Sequence, residues 1–316
     1  AIRRGPMKTP ESGTEVFAVK TRTGDATVKT ITSGFPTDMT ITKRRDSAEY
    51  GINMVRQLGV NFGILDTTNS FTDYGWYTSP KPWDVQDGFV MNQYSNMNAS
   101  GGTFVDYMFR RAPGFFDVVC YTGNSVDNRT ITHNLTVTPE LTIIKMRSGD
   151  TTRGWRTYTP GAIGSAKWGM LNLANTFESA AYIPAVSSTT VTLSSDAEVN
   201  RTACNYVAYL FATVAGVSKV GSYTGTGTTQ QINCGFSAGA RLVLIKRTDS
   251  TGDWYVWDSA RGIVAGNDPY LLLNSSAAEV TSTDYVDAYS AGFEISSTAP
   301  AAINASGGSY IYLAIA

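Results

Sequence analysis

Three phrases spaced at a fixed step constrain this chain more than any other feature. "TITKRRDS", "TIIKMRSGD" and "VLIKRTDS" place Lys43, Lys145 and Lys246 at intervals of 102 and 101 residues. Further landmarks keep nearly the same step. "FVDYMFRRAPGFFDVVCYTGN" (104–124) matches "YVAYLFATVAGVSKVGSYTGT" (206–226), "SYIYLAIA" ends the chain on the first part of that phrase, and "NASGG" stands at 98–102 and again at 304–308. Solenoid repeats run from about 20 to 50 residues, so a period near 102 is the size of a small domain rather than of one turn of a superhelix. The spacing predicts an arm over 1–13 followed by three related units, 14–112, 113–214 and 215–316.

Within a unit the pattern is one of short strands. "FFDVVCYTG", "ELTIIKMR", "TTVTLSS" and "NYVAYLFATV" are rich in Val, Ile, Thr, Tyr and Phe, and Gly, Asn, Asp or Pro punctuates them. "TTVTLSS" alternates polar with apolar, as a strand with one wet face does, whereas "RLVLIK" is apolar on both sides, as a strand covered by a second sheet is. Gly, Ser, Thr and Asn interrupt nearly every helical window, leaving room for one or two helical turns near "AAEVTSTDYVDA" (277–288). The expected fold is all-β: three tandem β-sandwich, jelly-roll-like domains of about 100 residues each. In the third unit the strand 241–247 turns through "TDSTGD" and returns as "WYVWD", with Trp254 and Val256 on one face and Tyr255 and Trp257 on the other. The second unit returns into Trp155 and Tyr158, and the first into "YGINMV".

Charge and composition exclude several kinds of function. With 25 Lys and Arg against 26 Asp and Glu, the chain has no field to draw nucleic acid or an anionic membrane. No apolar run approaches the roughly 20 residues of a membrane span, and no export signal is visible. The leading Ala is what removal of an initiator Met would leave. Cys120, Cys204 and Cys234 are too few and too scattered for a disulfide framework or a zinc site and read as reduced core thiols. His133 lies in "ITHNL", where the other units have "ITSGF" and "INCGF", so its imidazole is not part of the shared design. No nucleophile elbow, zinc helix or nucleotide loop is present, and Glu140, Glu178, Glu198, Glu279 and Glu294 form no local pair of the kind that cleaves sugars. Asp249 and Asp253 in "DSTGD" offer oxygen ligands for calcium, but Asp and Gly are also what a tight bend requires, and the turn reading is preferred. The expectation is a non-enzymatic protein with no cofactor and no metal.

The remaining candidates are surfaces. Trp83, Trp155, Trp254 and Trp257 lie in aromatic groups, "DYGWYTSPKPW" and "GDWYVWD" among them, that either pack inward or form a platform for sugar or protein. Arg3, Arg4 and Lys8 in the leading arm are candidates for attachment to a neighbouring subunit. The doublets Arg44-Arg45 and Arg110-Arg111 read as solvated surface or as salt bridges at unit junctions. Six N-x-S/T triplets, at Asn98, Asn128, Asn134, Asn200, Asn274 and Asn304, are what so Ser- and Thr-rich a chain produces by chance.

The phrases "RRAPGFFDVVCYTGN", "RTITHNLTVTPELTIIKMR", "SYTGTG", "LVLIKRTDSTGDWYVWDSARG", "YLLLNSS" and "NASGGSYIYLAIA" resemble a repeated domain of uncharacterised proteins from tailed bacteriophages, notably marine ones. The resemblance covers the second and third units closely and the first more loosely, where "YGINMVRQLG" replaces the aromatic return strand. It implies a structural component of the virion, a tail fibre or tail-associated protein, with a capsid decoration or head fibre, or a receptor- or glycan-binding module on the particle surface, as the alternatives. The partners it implies are other virion proteins, further copies of the chain in a homo-oligomer, and a host surface glycan or receptor. The family brings no catalytic residues with it.

Overall fold

The computed structural model describes residues 8–75, 77, 79–149, 153–164 and 167–316. The fold is all-β, with antiparallel sheets packed as sandwiches. The first unit contains β1 (Phe17–Thr23), β2 (Lys29–Ile31), β3 (Met39–Arg44), β4 (Ile52–Val55), β5 (Phe62–Ile64), β6 (Phe89–Met91) and β7 (Thr103–Phe109). The second contains β8 (Phe116–Thr122), β9 (Arg129–Thr132), β10 (Leu141–Ser148), β11 (Arg156–Tyr158), β12 (Lys167–Met170), β13 (Glu178–Ser179), β14 (Ala185–Val186), β15 (Thr190–Leu193) and β16 (Asn205–Phe211). The third contains β17 (Ser218–Thr224), β18 (Gln230–Asn233), β19 (Leu242–Arg247), β20 (Trp254–Asp258), β21 (Leu271–Leu272), β22 (Val286–Tyr289), β23 (Gly292–Ile295) and β24 (Ser309–Ile315).

The same strand order recurs three times, with a sixth strand added to the second main sheet and only two strands in the first smaller sheet. The main sheets run β1-β7-β3-β4-β5, β8-β16-β10-β11-β12-β13 and β17-β24-β19-β20-β21, and the smaller ones β2-β6, β9-β15-β14 and β18-β23-β22. In each main sheet the unit's last strand lies between its first strand and its lysine strand. The registers agree across the copies: Met39 faces Phe109, Leu141 faces Phe211 and Leu242 faces Ile315.

These main sheets have two dry faces for different reasons. Residues on one face, such as Tyr206, Ala208 and Leu210 or Tyr310, Tyr312 and Ala314, pack beneath the unit's own smaller sheet. The other face carries Val105, Tyr107 and Phe109, then Val207, Tyr209 and Phe211, then Ile311, Leu313 and Ile315, and all nine belong to one core shared by the three units. "RLVLIK" therefore differs from its expectation. Val243 and Ile245 lie under the smaller sheet, but Leu242 and Leu244 are covered by the other units. The period-2 alternation of a strand divides each sequence between a private core and a common one. "TTVTLSS" behaves as its alternation requires, with Val191 and Leu193 inside and Thr190 and Thr192 half-buried.

Among the described residues helix is confined to single turns. Ser95–Asn98, Ala197–Asn200 and Ala301–Asn304 precede the closing strand of each unit, whereas the turns expected at 277–288 are absent, that segment running through an isolated bridge at Val280 into β22. The last residue of each of these three turns is a buried asparagine. Asn98, Asn200 and Asn304 donate from Nδ2 to the carbonyls of Thr27 (2.7 Å), Val126 (2.8 Å) and Thr228 (2.9 Å). Each also accepts on Oδ1 from the amide of Asp25, Asn124 or Thr226. These three sequons are structural posts inside the protein and have no amide free to carry a sugar.

The leading segment ends against the other terminus. Ser12 caps the short turn Gly13–Glu15 by accepting from the Thr14 amide. A Cβ on Gly13 would stand 1.8 Å from the Ala316 carbonyl oxygen, so only glycine fits there.

Candidate functional site

The repeated lysines are the most unusual groups in the molecule. Each sits near the end of an apolar strand, fully buried, where an unpaired ammonium would be expensive. Each is satisfied by backbone carbonyls, and some of them belong to another unit. Lys145 Nζ donates to Thr68 O of the first unit (2.9 Å) and to Met146 O and Arg153 O of its own. Lys246 Nζ donates to Ala174 O (3.0 Å) and Asn175 O (2.9 Å) of the second unit and to Gly252 O of its own. Lys43 Nζ donates to Leu272 O (2.9 Å) and Ser275 O of the third. Thus the second unit grips the first, the third grips the second, and the first grips the third. The contacts close a ring.

A second set of bonds repeats the cycle. The amides of Phe71, Phe177 and Glu279 donate to the carbonyls of Arg147 (3.0 Å), Thr248 (2.9 Å) and Arg45 (2.8 Å), each two residues beyond a clamp lysine. Phe71, Phe177 and Glu279 therefore occupy corresponding places at the three seams.

Two of the seams are aromatic. Lys246 faces Trp254 across the hairpin, and one step beyond the Ile144–Arg156 pair Lys145 faces Trp155. Trp155 Nε1–H donates across the first seam to Ile64 O (3.2 Å), with Phe71 at 5.8 Å between ring centres. Trp254 Nε1–H donates across the second to Met170 O (2.8 Å), with Phe177 at 6.4 Å.

The closing seam, between the third unit and the first, is built from charge. By the same register Gly51 stands opposite Lys43, so no indole is present, and Glu279 replaces the phenylalanine. Arg45 Nε donates to Glu279 Oε2 (2.6 Å), and Arg261 Nη1 lies 3.5 Å from the same carboxylate. Arg261 Nε donates to Asp258 Oδ2 (2.5 Å), which also accepts from Tyr107 OH (2.9 Å). The side chains of Arg261 and Asp258 are fully buried.

Burial sets the proton affinities. It pushes Lys43 and Lys246 down to about 8, and it pushes the Cys234 thiol up to about 11. In the unfolded chain the two amines keep their protons to about pH 10.5, so above pH 8 the unfolded state holds more protons than the folded one. Stability then rises with pH, by up to about 1.4 kcal/mol per pH unit for each lysine. The buried Cys120 and Cys234 thiols from about pH 8, and the buried phenols from about pH 9, act in the opposite sense and reduce this rise, because the unfolded state releases their protons first. Urea midpoints at pH 8.0, 8.5 and 9.0 are expected to increase, with a smaller slope in Lys246→Met. A flat wild-type profile would contradict the depressed amine affinities.

The candidates named from sequence fall as follows. Trp155, Trp254 and Trp257 are each 1% exposed or less, which corrects the platform reading: both faces of their strands are covered, so no ring is offered to a ligand. Trp83 is half-buried, with Nε1–H donating to Gly59 O (2.7 Å) and the Arg56 guanidinium 5.1 Å from its ring. Lys8 is exposed and pairs with Glu11, Pro10 and Gly13 are buried, and Arg3 and Arg4 lie outside the described residues. Asp249 pairs with Arg247 (2.9 Å) and accepts from the Ser309 amide (3.1 Å), while Asp253 accepts from Asn274 Nδ2 (2.7 Å). The two carboxylates serve the turn. Among the described residues no group of three or more His, Cys, Asp or Glu is placed to hold a metal ion. His133 is buried, accepts from the Leu135 amide on Nδ1, and has its proton affinity lowered by burial. Of the basic doublets, Arg45 bridges two units through Glu279, and Arg111 Nε meets Asp117 (2.6 Å) beside the link from the first unit to the second.

The lysine clamps and the charged seam were not named as sites from sequence. The signal was a charge kept at one place of an otherwise apolar strand in all three copies, an expensive choice unless every proton has an acceptor. No curated protein and no solved structure matches the chain. A family model matches residues 12–316, and the chain belongs to that family, described as Domain of unknown function (DUF7483).

Proposed function

We propose that this chain is a non-enzymatic structural component of a bacteriophage particle, carried on the tail. One observation carries the non-enzymatic part of the reading. The groups that chemistry would use, three buried lysines and a buried Arg–Asp–Glu network, are occupied in joining the units into one body. A shared core with cyclic clamps resists local opening, since one unit cannot leave without exposing apolar surface on the other two. That property suits a part that must hold its shape on a particle. The bacteriophage part rests on the resemblance of the repeated phrases.

Localisation tests it. In purified particles of a phage that encodes the chain, mass spectrometry is expected to find it, and a cryo-EM map is expected to show its three-unit body on the tail. Density on the head alone would overturn the tail assignment. Absence from purified particles would overturn the virion assignment altogether.

A further inference from the structure

The three units do not fill the space where they meet. An apolar cavity of about 60 Å³ lies in the shared core and takes its walls from all three units. Its origin is legible in the repeat. Ile41, Ile143 and Leu244 are the residues two before each clamp lysine, and all three line the space. On the closing strands Lys43 faces Val105, Lys145 faces Val207 and Lys246 faces Ile311, which makes Tyr107, Tyr209 and Leu313 corresponding residues. Two units bring a tyrosine to the wall, and the third brings a leucine that lacks the ring.

The wall offers nothing to water. Tyr107 OH donates to Asp258, and Tyr209 OH donates to Asn53 Oδ1 (2.6 Å). Asn53 Nδ2 donates to Thr40 O (3.2 Å), and Trp155 Nε1–H to Ile64 O. A buried water needs two to four polar partners, and a cavity lined by aliphatic and aromatic carbon stays dry and accepts apolar guests. We infer that the shared core contains a binding site for one compact, uncharged, apolar guest, of the size class of a xenon atom or a short hydrocarbon, on the side of the cavity that Leu313 leaves open. No polar anchor is available, so selectivity rests on size and on the absence of charge.

Xenon is the probe. Methyl resonances of Ile143, Leu244 and Leu313 in the full chain are expected to shift and saturate under xenon pressure, while methyls of the private cores do not, and pressurised crystals are expected to show one xenon peak in the shared core. Leu313→Phe should place a ring in the gap and abolish both signals. Val256→Leu, a milder filling from the same sheet two strands away from Leu313, should weaken them and provides the comparison if the larger change impairs folding. Wild-type protein that shows neither saturable shifts nor a xenon peak would overturn the inference. A folded Leu313→Phe variant that binds xenon as wild type does would equally overturn the assignment to this space.

Discussion

Arg261→Ala is expected to lower the stability of the whole protein by about 3–5 kcal/mol, the range for breaking a buried ion pair from one side. The guanidinium is fully buried, donates to Asp258 and to Val256 O, and lies beside Glu279. Removing it leaves the fully buried Asp258 carboxylate without its counter-ion, while Glu279 keeps Arg45. The loss should appear as a lower urea midpoint of one cooperative transition, because the core is common to all three units. Arg247→Ala is the control: its partner Asp249 is more than a third exposed, and such pairs contribute about 0–1 kcal/mol. Replacing the network together, Arg261→Met with Asp258→Leu, Glu279→Phe and Tyr107→Phe, is expected to cost less than the single change, since it leaves no buried Asp258 or Glu279 charge behind. A single variant within about 1 kcal/mol of wild type would show that this seam is not held by its charges.

Much of the fold was legible because the chain states it three times. A fixed step between lysine phrases, strand-length apolar runs and turn residues point to repeated β-sandwiches, and the alternation of Trp254 and Val256 against Tyr255 and Trp257 placed each residue on its correct face. What covers those faces was not legible. A strand apolar on both sides reads the same whether its second cover is a sheet of its own unit or another unit, so Leu242 and Leu244 gave no sign of the shared core. At Trp155, Trp254 and Trp257 the platform reading went wrong for a related reason: composition cannot distinguish a tryptophan that stacks on a ligand from one that packs inside the protein. The clamps needed information that crosses units, since the acceptors of Lys43 lie at Leu272 and Ser275, more than two hundred residues away. Gly51 and Glu279 are the clearest case. Each looks like an ordinary departure within its own copy, and only the hydrogen bonds that put Glu279 in the place of Phe71 and Phe177 show that both departures fall on one seam.

Trp254→Ala should cost about 3–5 kcal/mol, the range for truncating a large buried aromatic, which is a larger loss than its place in a hairpin suggests. The indole is 1% exposed and fills the junction of the second and third units. Its removal opens a void bounded by Phe177 and takes away one of two donors to Met170 O, leaving the Leu173 amide (3.3 Å). The two contributions separate by experiment: Trp254→Phe keeps most of the volume and loses the N–H while Met170 O keeps the Leu173 amide, so its loss is expected at about 1–2 kcal/mol, one hydrogen bond and a trimmed ring. Trp83→Ala is the reference for an indole that is not at a seam, and the loss of one hydrogen bond and one exposed cation–π contact sets its cost at about 2 kcal/mol or less. Chemical denaturation of the three variants beside wild type gives the order Trp254→Ala, then Trp254→Phe, then Trp83→Ala level with or below it. If Trp254→Ala loses no more than Trp83→Ala, the seam does not depend on its indole, and the lysine clamp with the shared aliphatic core would be sufficient there, as it must be around Gly51, where no indole exists.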